Sequence, residues 1–337
     1  MSVAFRVCLL VSVSLSLAMP ASAKPVDAQA SVKPQYVIIS FDGAHELAQW
    51  QRSRNLAART GARFTYFLSC VFLLTREDRS QYLAPGKSAG RSNVGFAQSK
   101  DEVRARLGQI WLARSEGHDI ASHACGHFDG KDWTKADWLK EFSAFSTILR
   151  DAYTINGIEG EPEGWRQFAE TGIKGFRAPY LSTSKNLYAA LGEANFSYDA
   201  SSVSRGPAEP ATVNGIARFA LPQIPEGPNK RRVIAMDYNM FVRHSGGFER
   251  EDKDAAFENR AYDAFKTAFD GEYKGGRIPL EMGFHFTLMN GGAYWRALER
   301  FAGEVCVKAD VKCVSYAEYL AEVGQKPDPQ QTSAPGG

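Results

Sequence analysis

The sequence predicts an α/β fold in which a mainly parallel sheet is covered by helices. Two observations lead to this prediction. From residue 35 onward, short apolar runs alternate with longer stretches of helical periodicity, as in strand–helix–strand units. No linker-like segment divides the chain into halves. Roughly eight strand-like runs are enough for one barrel, so a single domain is expected.

The elements follow one another in a regular order. The predicted strands are the runs at 36–41, 64–70, 119–122, 175–178, 196–198, 217–221, 232–236, 278–286 and 312–314. The predicted helices lie at 46–60, 101–116, 135–153, 185–194, 252–269, 293–303 and 316–323. Two stretches rich in Gly, Pro, Ser and Asn, 75–100 and 205–230, exceed the usual connection of about 4–6 residues. They are expected to form either the rim of a site or surface insertions.

The ends of the chain differ from the barrel region, which is predicted at 35–324. Residues 1–23 are expected to be a signal peptide, because Arg6 precedes an apolar run at 7–19 and small residues end the segment. That run is shorter than the roughly 20 residues needed to span a bilayer, so no stable membrane anchor is expected. The protein should be exported, to the periplasm or the medium. A linker is predicted at 24–34 and a disordered tail at 325–337.

Charge and cysteine content narrow the possible functions. With 40 basic and 38 acidic residues the formal charge is +2, and no nucleic-acid partner is expected. Four cysteines remain once the signal peptide is set aside. Cys306 and Cys313 flank a short polar turn and are expected to form a disulfide in an exported protein. Whether Cys70 and Cys125 also pair is open at this point.

Polar residues follow several of the predicted strands at the point where each strand ends. They are Asp42, His123, His127, Arg177, Tyr180, Asp237 and His285, and Pro179 stands among them just before Tyr180. In parallel α/β folds these ends meet at one edge of the sheet, where catalytic residues collect. The histidines at 123 and 127 are four apart, and one helical turn would put both imidazoles on the same face, able to share a metal ion. A capping or surface pair is the alternative.

These residues, in this order, resemble the polysaccharide deacetylase family, also called carbohydrate esterase family 4, with its NodB-homology domain. The matching elements are Ser40-Phe41-Asp42-Gly43, Ser122-His123-Ala124-Cys125-Gly126-His127, Phe176-Arg177-Ala178-Pro179-Tyr180 and His285. The resemblance implies a distorted (β/α) barrel of seven or eight strands. It also implies a hydrolase acting on C–N (amide) bonds, which removes N-acetyl groups from an amino-sugar glycan or oligosaccharide. One divalent metal, expected to be Zn²⁺, is the implied cofactor.

The resemblance also implies roles for these residues. Asp42 is the implied general base, and His285 the group that protonates the leaving amine. Arg177 orients the catalytic carboxylate, and Asp237 tunes His285. The implied metal ligands are His123, His127 and Asp42, and the implied oxyanion and substrate contacts are the Tyr180 backbone N–H and Pro179.

The first motif departs from the family pattern, which has two adjacent aspartates where this chain has Asp42 and Gly43. If Asp42 is the base, a metal ligand is missing unless His45, Glu46 or Asp129 replaces it. If Asp42 is the ligand, the base is missing. Two other functions therefore stay open: a catalytically weakened carbohydrate-binding protein on the same scaffold, and a metal-dependent amidase with a non-sugar substrate.

Overall fold

The computed structural model describes residues 33–324, together with Met1. The predicted signal peptide (1–23), most of the predicted linker (24–34) and the predicted tail (325–337) lie outside the described residues.

The strands belong to one strongly curled sheet. They are β1 (Gln35–Gly43), β2 (Thr65–Leu68), β3 (Asp119–Ser122), β4 (Gly175–Phe176), β5 (Tyr198–Ser204), β6 (Ala211–Val213), β7 (Ile216–Glu226), β8 (Arg231–Ile234), β9 (Leu280–His285) and β10 (Val311–Val314). The parallel part runs in the order β9, β1, β2, β3, β4, β5, β7, and β10 pairs with the first half of β1. Strands β6 and β8 are antiparallel to β7. A single parallel bridge between Met236 and Gly283 links the segment after β8 to β9. The predicted α/β class and the distorted single-domain barrel are confirmed.

Helices cover the outside of the sheet. They are α1 (Leu47–Thr60), α2 (Lys100–Ser115), α3 (Lys135–Asn156), α4 (Trp165–Gln167), α5 (Lys185–Glu193), α6 (Asp237–Ser245), α7 (Ala256–Lys274), α8 (Met289–Val305) and α9 (Tyr316–Gly324). Local sequence fixes some of their ends. Thr134 and Asp137 form a capping box at the start of α3, and Gly157 ends that helix in the left-handed conformation at φ 61°.

Strand β1 lies at the centre of the core. Residues Gln35 to Asp42 are all buried, as expected for a parallel strand covered on both sides. The Phe41 ring stacks on Tyr66 and on Trp295, with ring centroids 5.5 and 5.1 Å apart. The apolar packing of β1 therefore fixes the position of Asp42 near its carboxyl end.

The second predicted insertion, 205–230, contains β6 and β7, so the predicted strand at 217–221 is part of a longer strand. Alternating burial along β7 gives one face to the interior. Pro222 and Pro225 hide this pattern in the sequence, because proline in an apolar run argues against a central strand. The first insertion, 75–100, is mostly irregular, as its composition indicates. Within residues 33–324, no helix has both the length and the apolar character to cross a membrane.

The described part of the chain contains two disulfides. Cys306 is bonded to Cys313, the pair expected from the sequence, and Cys70 is bonded to Cys125. The second bond ties the turn after β2 to the loop after β3, and its residues are 55 apart in sequence against 7 for the first.

Removing the two disulfides should have unequal effects on stability. A cross-link limits the unfolded chain more when it closes a longer loop, so Cys70→Ser/Cys125→Ser should lower the free energy of unfolding by about 4 kcal/mol. The matched pair Cys306→Ser/Cys313→Ser should cost about 2 kcal/mol. Chemical denaturation of both variants beside wild type measures the difference. A larger loss for the short loop would contradict this explanation.

Candidate active site

The candidate site lies where the carboxyl ends of β1, β3, β4 and β9 meet. Strand register puts Asp42 directly beside His285, because β1 and β9 are parallel neighbours. Arg177 follows β4, and its backbone N–H donates to the Ser122 carbonyl at the end of β3. Side chains separated by more than 200 residues in sequence, such as those of residues 42 and 285, are thereby brought to one edge.

Asp42 forms a buried ion pair with Arg177. The Arg177 Nη1 donates to Asp42 Oδ1 at 2.8 Å, and the two side chains are 0% and 4% exposed. Burial favours the neutral carboxyl, but the Arg177 guanidinium and the neighbouring imidazoles outweigh it and hold the pKa of Asp42 below its usual range. Asp42 does not cap α1, whose N-cap residue is Glu46. The carboxylate is therefore ionised and held in one orientation.

Arg177 is itself held from several sides. Its Nη1 also donates to Ser40 Oγ at 2.8 Å, and its Nη2 donates to the Tyr316 hydroxyl at 2.7 Å. Tyr316 in turn donates to Glu281 Oε2 at 3.0 Å. Burial raises the pKa of Glu281 to about 7. This network fixes the guanidinium that orients Asp42.

The loop that carries the two histidines is not a helical turn, which corrects the geometry expected from their spacing. Ala124 and His127 have left-handed backbone angles, with φ of 58° and 54°. The loop still brings the rings of His123 and His127 together, with centroids 5.1 Å apart. His123 Nδ1 donates to the Arg177 carbonyl at 2.7 Å, since a carbonyl can only accept. Its Nε2 is then the lone-pair nitrogen, and burial lowers the pKa of His123 to about 3, so the ring is neutral.

Residues outside the motifs hold this loop in place. Glu141 Oε1 accepts from the Cys125 N–H at 2.8 Å, and the Tyr82 hydroxyl accepts from the Gly126 N–H at 3.1 Å. Asn93, from the first insertion, donates through its side-chain amide to the His127 carbonyl at 3.0 Å. The insertion at 75–100 therefore forms part of the rim.

Pro179 and Tyr180 form a tight turn beside His127. Tyr180 has φ 59°, and its ring lies 4.8 Å from the His127 ring while remaining 59% exposed. Within residues 33–324, no hydrogen bond is made by the Tyr180 backbone N–H. This donor is therefore available to a ligand oxygen.

Asp237 and His285 form a carboxylate–imidazole pair. Asp237 is the first residue of α6 and is fully buried. Its Oδ2 accepts from the His285 backbone N–H at 2.7 Å, and its Oδ1 accepts from His285 Nδ1 at 2.6 Å. Burial alone would lower the pKa of His285, but the Asp237 carboxylate more than offsets this and raises it. The proton on Nδ1 is thus committed to Asp237, and Nε2 of a protonated ring can donate into the site.

The three implied metal ligands do not assemble into a complete site. Within residues 33–324, no group of three or more His, Cys, Asp and Glu side chains is arranged to hold a metal ion. Asp42 is engaged by Arg177, and position 43 carries no side chain. The suggested substitutes have other partners: His45 Nε2 lies 3.4 Å from Glu46 Oε1, and Asp129 accepts from the Lys131 N–H at 3.0 Å. Two imidazoles alone do not fit the usual zinc site of three or four protein ligands.

Sequence reasoning gave no role to several residues of the site. Ser40, Tyr316 and Glu281 support Arg177, and Glu141 and Tyr82 support the histidine loop. Ser40 stands in the first motif, and its role could have been noticed because it is a polar residue within an apolar strand. The others follow no local pattern, since their contacts depend on how distant elements pack.

The fold is similar to that of several solved structures. A protein from Mycobacterium smegmatis assigned as a polysaccharide deacetylase superposes with a TM-score of 0.53 at 16% identity, covering 96% of this chain and 100% of the other. A probable polysaccharide deacetylase from Pseudomonas aeruginosa PAO1 gives a TM-score of 0.51 at 14% identity, covering 87% and 92%. The PuuE allantoinase gives 0.50 at 15% identity, covering 88% and 93%. Such low identities show a shared fold alone.

Sequence comparison is less informative. No family model matches the chain. A serine hydroxymethyltransferase from Hydrogenovibrio crunogenus (strain DSM 25203 / XCL-2) is 23% identical over 207 residues, 55% of this chain and 46% of that protein. The chain therefore spans less than half the length of this curated protein, and the match does not establish a family.

Proposed function

We propose that this chain, which has the polysaccharide deacetylase fold, is an exported hydrolase that removes N-acetyl groups from an amino-sugar glycan or oligosaccharide. One observation carries the proposal. An ionised carboxylate, Asp42, held by Arg177, lies on the strand next to an imidazole, His285, held by Asp237. Amide hydrolysis needs this combination, because a base must activate water and an acid must protonate the leaving nitrogen.

Each residue has a distinct part in the proposed reaction. Asp42 accepts a proton as water attacks the acetamide carbonyl, and the free Tyr180 N–H donates to the oxyanion that forms. Protonated His285 then donates from Nε2 to the departing amine as the C–N bond breaks. Acetate and a free amino sugar are the products. Pro179 fixes the turn that presents Tyr180.

The divalent metal implied by the family resemblance has no step in this mechanism. His123 and His127 are the two residues that could hold such a metal. Within residues 33–324, no third protein ligand lies with them. The same feature, together with Gly43, favours a second candidate function: a carbohydrate-binding protein in which catalysis is weak or lost.

Acetate release separates these functions. Purified protein should release acetate and free amine in equal amounts from N-acetylated oligosaccharides, and His285→Gln should abolish most of this release. Binding of the same oligosaccharides by calorimetry without any acetate would support the binding protein instead. Hydrolysis of non-sugar amides only, in a parallel substrate screen, would support the amidase.

A further inference from the structure

A cavity of about 630 Å³ opens beside the candidate site. Its wall begins at the loop after Asp42 and includes His45 and Phe72, whose rings stack with centroids 4.8 Å apart. If Gly43 carried a Cβ atom, His45 Nδ1 would be 4.0 Å from it. His45 is three residues after Asp42, so the cavity wall begins no more than about 11 Å from the Asp42 Cα, within reach of a long substrate bound at the site.

One side of the cavity is formed by a buried arginine whose guanidinium nitrogens are all hydrogen-bonded within the protein. Arg106 donates from Nε and Nη2 to the His45 carbonyl at 2.9 and 2.6 Å, and from Nη1 to the Phe72 carbonyl at 2.6 Å. It also pairs with Glu102, whose other oxygen accepts from the Gln98 N–H at 2.8 Å. The Glu102 and Arg106 charges cancel, and neither group is available to a ligand.

The remaining charges of the cavity are unbalanced. Arg76 and Arg79 both line it, and within residues 33–324 neither guanidinium has an ion pair or a side-chain hydrogen bond. Glu46 is the one other carboxylate lining the cavity, and it lies beside His45. The first turn of α1, which also lines the cavity, contains no acidic residue. The cavity lining thus contains two exposed arginines without an ion-pair partner and one exposed carboxylate.

We propose that this cavity is a substrate subsite for an anionic substituent, a carboxylate or sulfate, on a sugar residue adjoining the one that loses its acetyl group. Arginine suits this role because its planar guanidinium can donate two parallel hydrogen bonds to such a group. The inference rests on the proposed function for the identity of the substrate. It adds that the preferred glycan is acidic and that Arg76 and Arg79 select it.

The test compares matched N-acetylated oligosaccharides that are neutral, carboxylated or sulfated. Wild type should prefer an anionic substrate by about tenfold in kcat/KM at low ionic strength, and added salt should reduce this preference. In Arg76→Gln/Arg79→Gln the ratio should fall to about one. Arg104→Gln is the matched control, because Arg104 is an exposed arginine of α2 that does not line the cavity. It should keep the wild-type ratio.

Calorimetric binding of the same three oligosaccharides separates this inference from the proposed function. Anion-selective binding that needs Arg76 and Arg79, without acetate release, would support the subsite while overturning the hydrolase. Acetate release with no anion preference, or with a preference that survives the double substitution, would overturn the subsite alone. Preference for only one of the two anions identifies the substituent and supports the subsite.

Discussion

Asp42→Asn is expected to lower kcat for acetate release by roughly 10²–10⁴-fold, the range attributed to a positioned general base. Asparagine has nearly the same shape, and its Oδ1 can still accept from Arg177, but it cannot take a proton from water. Steady-state acetate release at neutral pH measures the loss. Because the pKa of Asp42 is held below its usual range, wild-type activity should also persist to lower pH than an ordinary aspartate would permit.

Loss of the negative charge next to a buried guanidinium also affects folding, so a control is needed. Ser40→Ala removes another acceptor from the same Arg177 Nη1 while leaving the carboxylate in place. It should lower kcat far less than Asp42→Asn does. Near-UV circular dichroism should show that both variants are folded. A folded Asp42→Asn enzyme with wild-type turnover would mean that another group supplies the base.

Asp237→Asn is expected to move the high-pH limb of the activity profile to lower pH. His285 must be protonated to donate to the leaving amine, so activity falls as pH rises through its pKa. In wild type that pKa is raised because the Asp237 carboxylate outweighs burial. Without the Asp237 carboxylate, only the smaller effect of the Asp42 charge opposes burial, and the pKa of His285 falls. Activity in the variant should therefore decline steeply at a pH where wild type is still active.

The pH dependence of kcat/KM for the two proteins measures this shift. Glu226→Gln is a matched control, since Glu226 forms a similar buried contact with His244, at 3.2 Å, outside the candidate site. In Glu226→Gln the high-pH limb of the activity profile should stay where it is in wild type. An unchanged limb in Asp237→Asn, in a folded protein, would show that His285 is not the group that titrates.

The strand ends were the part of the site most accessible to sequence reasoning. The apolar run before Asp42 has the pattern of a strand buried on both faces, and a polar residue at such an end is readily noticed. The same reasoning found His123, Arg177 and His285. The spacing of the histidines, in contrast, predicted a helical turn. The loop adopts left-handed angles instead, because Cys125 is bonded to Cys70 and its N–H is bound by Glu141.

Contacts between distant elements could not be predicted in this way. Asp237 was given its role from the family resemblance, which Ala235-Met236-Asp237-Tyr238 matches only loosely, and the helix that begins at Asp237 was not expected. Tyr316 lies at the start of the last described helix, yet its hydroxyl contacts Arg177 through the interior of the barrel. Such contacts depend on which strands pair and in which register. The periodicity of one sequence locates strands and helices but does not specify that pairing.

The central claim is that Asp42 and His285 act together on one amide bond. It is tested most directly by measuring acetate release from one N-acetylated oligosaccharide with wild type, Asp42→Asn, His285→Gln and the double variant. Groups that act as a unit have strongly non-additive effects. Each single variant should therefore lose at least about 10²-fold, and the double variant should be little worse than the poorer single one. Full additivity of the two losses, or wild-type release by either folded single variant, would contradict the account.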